Sequence, residues 1–394
     1  MEITVDFGDQ EPLPETASRT PQDPDEFLAQ NSFRIVYQFN NFFLPQIRDM
    51  IEQKDAINLR PEYQRRLRWT NPQKSKLIES LLLNIPVPPV FFYEADAARY
   101  EVMDGQQRLN AIREFFAGDF ALRGLTVLTP LNGLRYTTCP PRIKRTLDRA
   151  TISAIVLLME SESERPHEGM FSITDVRRLV FDRLNTGGRR LNAQEIRNAL
   201  HPGPLNRCIL ELSRLERFTE VFGIPPYTEA DEAEYYENPA RRKNNLYATM
   251  RDCELVLRVF ALRDPDNIRG SMRSMLDRAM AKSLSSEEVE MFADDFQMHF
   301  AFLCDLFGDD PFTIKFREHG KERISAALYD AAMVALSRVW DHREDVRADR
   351  VGVAERLRTA VADDENYELI VGRRNTAEAV RGRIDLLQTI LLPG

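Results

Sequence analysis

The segment VMDGQQRLNAI, residues 102–112, concentrates side chains that can bind phosphate. Its polar residues are Asp104, Gly105, Gln106, Gln107 and Arg108. A carboxylate can hold a divalent cation, and a guanidinium can bind a phosphate through two parallel hydrogen bonds. Residue types of this kind, grouped at one point of the chain, indicate phosphate chemistry.

The surrounding pattern predicts that this segment lies between a strand and a helix. Asp104 is suited to cap the helix, with Gln107 completing a capping box, and the helix has a buried apolar stripe. A plain cap leaves Gly105 and Arg108 unexplained, because an arginine in the first turn opposes the positive end of the helix dipole. Free amides at a helix start, close approach at a glycine and a guanidinium together predict a phosphate site, with the plain cap as the alternative. The segment is not a Walker A loop.

A second segment, RPEYQRRLRWT at residues 60–70, interleaves arginines with aromatic residues. Such a mixture can bind phosphates and stack on a base. Gln64 and Arg65 are the predicted contacts, whereas Trp69 is expected to be a packing anchor. The alternative is a solvated loop.

A third segment, FDRLNTGGRRLNAQEIRNAL at residues 181–200, contains a glycine turn before a helix that Asn192 is expected to cap. Asn185, Thr186 and Gly187 are the candidates to close over a phosphate chain or its metal. An ordinary turn explains the same glycines equally well.

The elements around these segments predict an α+β fold. FRIVYQF, PPVFFYEA, RYEVM and TISAIVLLM read as strands, and NPQKSKLIESLLLNIP reads as a helix capped by Asn71. Long amphipathic segments follow residue 203. The expected organisation is a disordered acidic tail at 1–30, a mixed-sheet domain at 31–204 and a helical domain at 205–394.

Composition restricts the function classes. A net charge of -9 and a pI near 5.4 argue against a protein that coats nucleic acid by general electrostatics. The four cysteines form no C-x-x-C pair, so a zinc cluster is not expected. The apolar run AIVLLM is too short to span a bilayer and the start is not a signal peptide, so a soluble cytoplasmic protein without membrane partners is expected.

The motifs, in this order, resemble the family named for the N-terminal domain of GmrSD-type modification-dependent restriction enzymes, a relative of the ParB/sulfiredoxin-like fold. The matching strings are PEYQRRLRW, KLIESLLLNIPVPPVFF, VMDGQQRLNAI and FDRLNTGGRRLNAQEIRNAL, with a fainter one at MRDCELVLRVF. The resemblance covers roughly residues 32 to 260. It implies a ParB-like α+β core with a nucleotide site at D-G-Q-Q-R, in a family some of whose members hydrolyse nucleotides in bacterial antiphage systems.

The resemblance also places ten residues at the expected site, and their chemistry indicates the roles. The catalytic set is Asp104, Gln106, Gln107 and Arg108, and the phosphate-binding set is Gln64, Arg65, Gly105, Asn185, Thr186 and Gly187. Asp104 is expected to hold Mg²⁺ or orient water, and one of the two glutamines to position that water. Arg65 and Arg108 would stabilise charge on the transferred phosphoryl group of a nucleoside triphosphate.

One departure from restriction enzymes of this type concerns the nuclease. The five histidines form no histidine-based metal motif, so the chain is interpreted as a stand-alone member without an HNH domain, and DNA cleavage by the chain alone is not expected. The segment DHRED around His342 reads as a solvated helix end.

Three functions remain open at this point. The first is a nucleotide-binding sensor or specificity module of a defence system that hydrolyses the nucleotide or only binds it, with DNA, a partner protein of the same defence operon or a second copy as partners. The second is a DNA-binding protein that uses residues 60–68 and Arg142, Lys144 and Arg145. The third is a scaffold that self-associates through apolar stripes such as Leu255, Leu257 and Phe260.

Overall fold

The computed structural model describes residues 3–7, 37–52, 56–59, 69–158, 180, 192–201, 203–226, 238–318, 320–373 and 375–392. The chain forms two compact units. The sheet unit comprises Arg19–Leu191, and the helical unit comprises Met1–Ser18 together with Asn192–Gly394.

The first strand, β1 (Val5–Asp6), belongs to the helical unit. The described strands of the sheet unit are β2 (Tyr37–Phe43), β3 (Ile57–Asn58), β4 (Val90–Asp96), β5 (Arg99–Asp104) and β6 (Thr151–Leu157). Its described helices are α1 (Leu44–Glu52), α2 (Asn71–Leu82), α3 (Gln106–Ala117) and α4 (Pro141–Arg149).

The five strands form one mixed sheet in the order β2-β6-β4-β5-β3. The β2–β6 and β4–β5 pairs are antiparallel, whereas β4–β6 and β3–β5 are parallel. The α+β architecture predicted from the sequence is therefore confirmed.

One face of the sheet supplies the core of this unit. In β6, Ile152, Ala154 and Val156 are buried while Thr151 and Ser153 are exposed, which is the two-residue alternation of a strand with one covered face. The helices contribute apolar stripes to the same core, among them Leu109, Ile112, Phe115 and Phe116 of α3.

Two sequence-based boundaries shift. Thr70, not Asn71, caps α2, because the Thr70 amide donates to Gln73 Oε1 at 2.9 Å and Asn71 is already helical. The strand expected from FRIVYQF is β2, whose described part begins at Tyr37 and continues to Phe43. Residues 33–36 lie outside the described residues.

The described helices of the helical unit are α5 (Ala193–Leu200), α6 (Pro204–Leu212), α7 (Glu216–Val221), α8 (Pro239–Lys243), α9 (Asn245–Ala248), α10 (Arg251–Arg263), α11 (Met272–Met280), α12 (Ser286–Phe307), α13 (Ala326–Arg338), α14 (Arg343–Ala348), α15 (Arg350–Ala362), α16 (Asp364–Val371) and α17 (Ala377–Leu391). Asn192 and Glu195 form the capping box predicted for α5. The helical second half is confirmed, and no described helix is long and apolar enough to cross a membrane.

A small sheet that the sequence did not predict completes this unit. Strands β7 (Thr313–Lys315) and β8 (Glu322–Ser325) pair antiparallel, and β1 pairs parallel with β8. Phe7 is buried, and the guanidinium of Arg251 lies 4.2 Å from its ring centroid. Residues 3–7, part of the tail expected to be disordered, are thus held in place by strand pairing and packing.

The apolar stripe proposed for self-association is used inside this unit. Leu255 and Leu257 of α10 are completely buried, and Phe260 packs edge-on against Phe292 of α12 at 5.0 Å between ring centroids. Leu255 and Leu257 therefore offer no apolar surface for self-association, because their own unit already covers it, and self-association itself stays a prediction.

Candidate functional site

The polar segment lies at the junction of β5 and α3, as predicted, but its cap differs from the prediction. The N-cap is Gly105, with φ of 98°, and Asp104 is the last residue of β5. The capping box expected from Asp104 and Gln107 is wrong, because the chain turns at the glycine and leaves the Asp104 carboxylate free for another partner.

Gly105 is required by the fold itself. A Cβ at this position would lie 2.4 Å from Cγ1 of Val90, the first residue of β4, and the positive φ is strained for any residue with a side chain. The glycine therefore allows the start of α3 to pack directly against β4. This explanation does not need an anion.

A β-bulge turns Asp104 away from the core. Phe92 pairs with Val102 and Phe91 pairs with Asp104, so Met103 is an extra residue in β5. Without the extra residue, strict alternation would place Asp104 on the buried face that Val102 occupies. The bulge moves Asp104 to the face of Phe91, where its side chain is 37% exposed.

Asp104 and Arg108 form an ion pair at the start of α3. The Nη2 atom of Arg108 donates to Asp104 Oδ2 at 2.7 Å and to the carbonyl of Pro89 at 3.3 Å. The Arg108 side chain is only 14% exposed, and its buried Nε has no hydrogen-bond partner among the described residues. A buried donor without a partner is costly, so this guanidinium retains the capacity to bind a further acceptor.

The two glutamines hold neighbouring chain segments. Gln106 donates from Nε2 to the carbonyl of Leu59, and Gln107 Oε1 accepts the amide of Trp69 at 3.0 Å. Leu59 and Trp69 are the described residues on either side of positions 60–68, and both are thus bonded to the start of α3. The sequence contained no signal for these contacts, because backbone groups of distant residues supply the partners.

The predicted residues of the other two segments lie outside the described residues. These are Gln64, Arg65, Asn185, Thr186 and Gly187. Of the second segment, Trp69 is described, and it is half-buried against the core as expected for a packing anchor.

A buried ion pair connects the two helices nearest the site. The Lys74 ammonium of α2 contacts the Glu114 carboxylate of α3, with 8% and 10% of the two side chains exposed. Asn110 donates to the same carboxylate at 2.6 Å, and Nη2 of Arg113 lies 4.0 Å from Glu114 Oε1. This pair fixes α3 two turns beyond Arg108, and the sequence analysis did not single it out.

Other nucleophile and metal chemistry has little support in the described part of the chain. Burial raises the pKa of Cys208 to about 12 and that of Cys304 to about 11, so these thiols stay protonated at neutral pH. No group of three or more His, Cys, Asp or Glu side chains that could hold a metal occurs among the described residues. His342 lies on an exposed helix end near Asp345, as the sequence indicated.

A mixed sheet with a polar cluster at one helix start thus defines the class of this domain as a small α+β module. Residues 47–202 match the family described as GmrSD restriction endonuclease, N-terminal domain. This part of the chain, which is less than half of its length, is therefore similar to that domain of a restriction endonuclease. No curated protein and no solved structure matches the chain.

Proposed function

We propose that the start of α3 binds the phosphates of a nucleoside triphosphate, and that the protein is a nucleotide-responsive module of a bacterial antiphage or modified-DNA restriction system. It would act in the cytoplasm with DNA or a partner protein of the same defence system. The observation that carries the proposal is the Arg108 guanidinium, which is nearly buried, lies at a helix N-terminus and has an Nε without a partner.

The electrostatics of this position favour an anion. The first backbone amides of α3 have no partners within the helix, and the helix dipole adds positive potential at the same end. Arg108 adds a full positive charge. The Asp104 carboxylate accepts a hydrogen bond from its Nη2 and so engages only part of the guanidinium. A phosphate would supply acceptors both for Nε and for the amides.

The donor set also fits a magnesium ion bound together with the nucleotide. Mg²⁺ is usually held by one or two carboxylates plus phosphate oxygens and water, so an all-protein cage is not needed. Asp104 would provide that carboxylate, since its side chain is partly exposed and the bulge directs it away from the core. The ion would supply neutralisation of phosphate charge.

Whether the site hydrolyses the nucleotide depends on water positioning. Gln106 and Gln107 were predicted to position the water, and each has an amide atom engaged with a chain segment. Their contacts support a positioning role for the segment at 60–68, which carries Gln64 and Arg65.

Isothermal titration with ATP, GTP, CTP and UTP in the presence of Mg²⁺ tests the proposal. Arg108→Ala should weaken binding about 10- to 100-fold, since a hydrogen bond to a charged group contributes about 1.5–3 kcal/mol. Arg113→Ala is the matched control, because Arg113 lies on the same helix and pairs with Asn110 instead. A folded wild-type protein that binds none of the triphosphates, or an Arg108→Ala variant that binds as tightly as wild type, would refute the site.

Asp104→Asn separates the two roles of the carboxylate. With Mg²⁺ present the variant should bind the triphosphate more weakly, because a metal ligand is lost. With EDTA in place of Mg²⁺ it should bind more tightly than wild type, since Arg108 loses its competing anion. Equal affinities of variant and wild type under both conditions would remove Asp104 from the site.

A second candidate is direct binding of DNA through α4. The exposed guanidinium groups of Arg142, Arg145 and Arg149 line this helix, and Asp148 is its only acidic residue. Lys144 is less available, because its ammonium donates to the Thr137 carbonyl at 2.9 Å. The arginines at 60–68 lie outside the described residues.

The salt dependence of DNA affinity tests this candidate. Each phosphate contact that is removed should reduce the slope of log affinity against log salt by about 1, so Arg142→Ala/Arg145→Ala should flatten it by about 2. Arg358→Ala is a control on an exposed arginine of α15 that pairs with Glu355. An unchanged slope in the double variant would exclude α4 as the contact surface.

A further inference from the structure

Strand β2 is an edge strand without the usual protection against pairing. It lies at one end of the sheet order and pairs with β6 alone among the described strands. Its sequence, YQFNNFF, contains no charged residue, proline or glycine, and its register with β6 is continuous over all seven residues. Natural edge strands are normally interrupted by such residues or by bulges, because an open edge can pair with another chain.

The same strand carries an exposed aromatic row. Tyr37, Phe39 and Phe43 are 54%, 70% and 53% exposed, and alternation places them on one face with Asn41. Phe42, on the opposite face, is buried in the core. Tyr37 and Phe39 already contact each other edge-on, with 5.6 Å between ring centroids.

We propose that β2 is a homodimerisation edge, at which two copies of the protein pair their β2 strands antiparallel about a two-fold axis at Asn40. This register places Tyr37 of one copy opposite Phe43 of the other, and Phe39 opposite Asn41. All six exposed aromatic side chains of the two copies then share one face. Cross-strand aromatic neighbours of this kind stabilise a pair of strands.

The chemistry of the strand favours a second copy over an unrelated partner. An uncharged strand meets no like charge when it faces itself, and it offers no charge that would select a charged partner. About a two-fold axis, the outer edge of β2 in one copy pairs with the same edge in the other copy. Such isologous pairing is the commonest form of protein oligomer. The two sheets would continue as one.

The exposed area sets the expected strength. An aromatic side chain can bury about 150–250 Å². The exposed parts of the three aromatic side chains could therefore bury about 700 Å² in total over the two copies, before the area of the strand backbone is added. Stable interfaces usually bury about 1,200 Å² or more. The dimer should therefore be weak and depend on concentration.

Sedimentation velocity of the full-length protein, over a series from low micromolar to several hundred micromolar, tests the proposal. Wild type should shift from monomer to dimer within this range. Phe39→Glu should raise the dissociation constant by about tenfold or more, because it removes an aromatic contact and places two carboxylates diagonally across the axis on one face. Phe39 is exposed, so this variant should keep its fold, which circular dichroism checks.

A charge reversal tests the register. Phe39→Glu combined with Asn41→Lys places opposite charges on residues that face each other across the axis, and it should restore dimerisation. Val351→Glu is the control, because Val351 is 83% exposed on α15 of the helical unit. A wild type that stays monomeric at every concentration, a dimer insensitive to Phe39→Glu, or no rescue by the double variant would each overturn the proposal.

Discussion

Replacing Gly105 with alanine should destabilise the sheet unit through two separable terms. The φ of 98° is strained for an L-residue, which costs about 1–2 kcal/mol. The new methyl group would lie 2.4 Å from Val90 Cγ1 and 2.9 Å from Val90 Cβ, and such overpacking costs about 1–3 kcal/mol. The free energy of unfolding should therefore fall by about 2–5 kcal/mol.

A double-mutant cycle with Val90→Ala separates the two terms. Val90→Ala alone should cost about 2 kcal/mol for the lost methyl groups and the space they leave. In that background Gly105→Ala should cost less than in wild type, because the 2.4 Å contact with Cγ1 is gone, while the backbone term of about 1–2 kcal/mol and the 2.9 Å contact with Cβ remain. The coupling energy between the two positions thus measures the contact between the helix start and β4.

Urea unfolding followed by tryptophan fluorescence provides the assay. The chain has two tryptophans, and Trp69 lies in the sheet unit beside the site while Trp340 lies in the helical unit. A Trp340→Phe background makes the signal specific to the sheet unit, which matters because two units need not unfold as one transition. A loss below about 0.5 kcal/mol for Gly105→Ala, or a zero coupling with Val90→Ala, would refute the packing argument.

Three further predictions concern the supports of the site and the helical unit. Lys74→Ala should lower the free energy of unfolding by about 3–5 kcal/mol, because the buried Glu114 carboxylate loses its ammonium partner. Lys74→Met/Glu114→Leu should recover most of this loss in the same urea assay. Equal losses in the two variants would contradict the prediction. Gln107→Ala should accelerate tryptic cleavage within residues 60–68, since it removes the acceptor of the Trp69 amide, and an unchanged cleavage rate would argue against a holding role. Burial lowers the pKa of His299 to about 4, so the unfolded state binds more protons than the folded state once the pH falls below about 6.5. The free energy of unfolding should therefore drop by about 3 kcal/mol between pH of about 6.5 and about 4. His299→Gln should flatten this drop.

Local patterns predicted the elements and the position of the polar junction. The strand at RYEVM, the helix that follows Gly105 and the capping box of Asn192 and Glu195 all depend on neighbours within a few residues. Such neighbours are visible in the sequence, because turn chemistry, alternation and capping act over one or two turns of chain.

The contacts of the junction were not accessible in this way. The sequence indicated Asp104 as the cap, but the extra residue at Met103 and the close approach of Val90 decide where its carboxylate points. The register of β4 against β5 creates the bulge. The residues of β5 carry no local signal that shows how they will pair with β4.

The partners of the glutamines show the same limit. Gln106 and Gln107 looked like water-positioning groups, and the structure engages them with the backbone of Leu59 and Trp69. Backbone carbonyls and amides are identical along the chain, so residue types cannot predict which of them a side chain will meet.

The sequence by itself indicated the resemblance of residues 47–202 to the GmrSD N-terminal domain, the alternation of strands and helices, and the group of polar and charged side chains at the β5–α3 junction. The tertiary structure decided that Asp104 faces Arg108 instead of capping the helix, that Gly105 serves packing, and that β2 forms an uncharged open edge. The physical reason is range: propensity, capping and side-chain chemistry act between near neighbours, whereas strand order, register and buried ion pairs arise only when distant segments pack together.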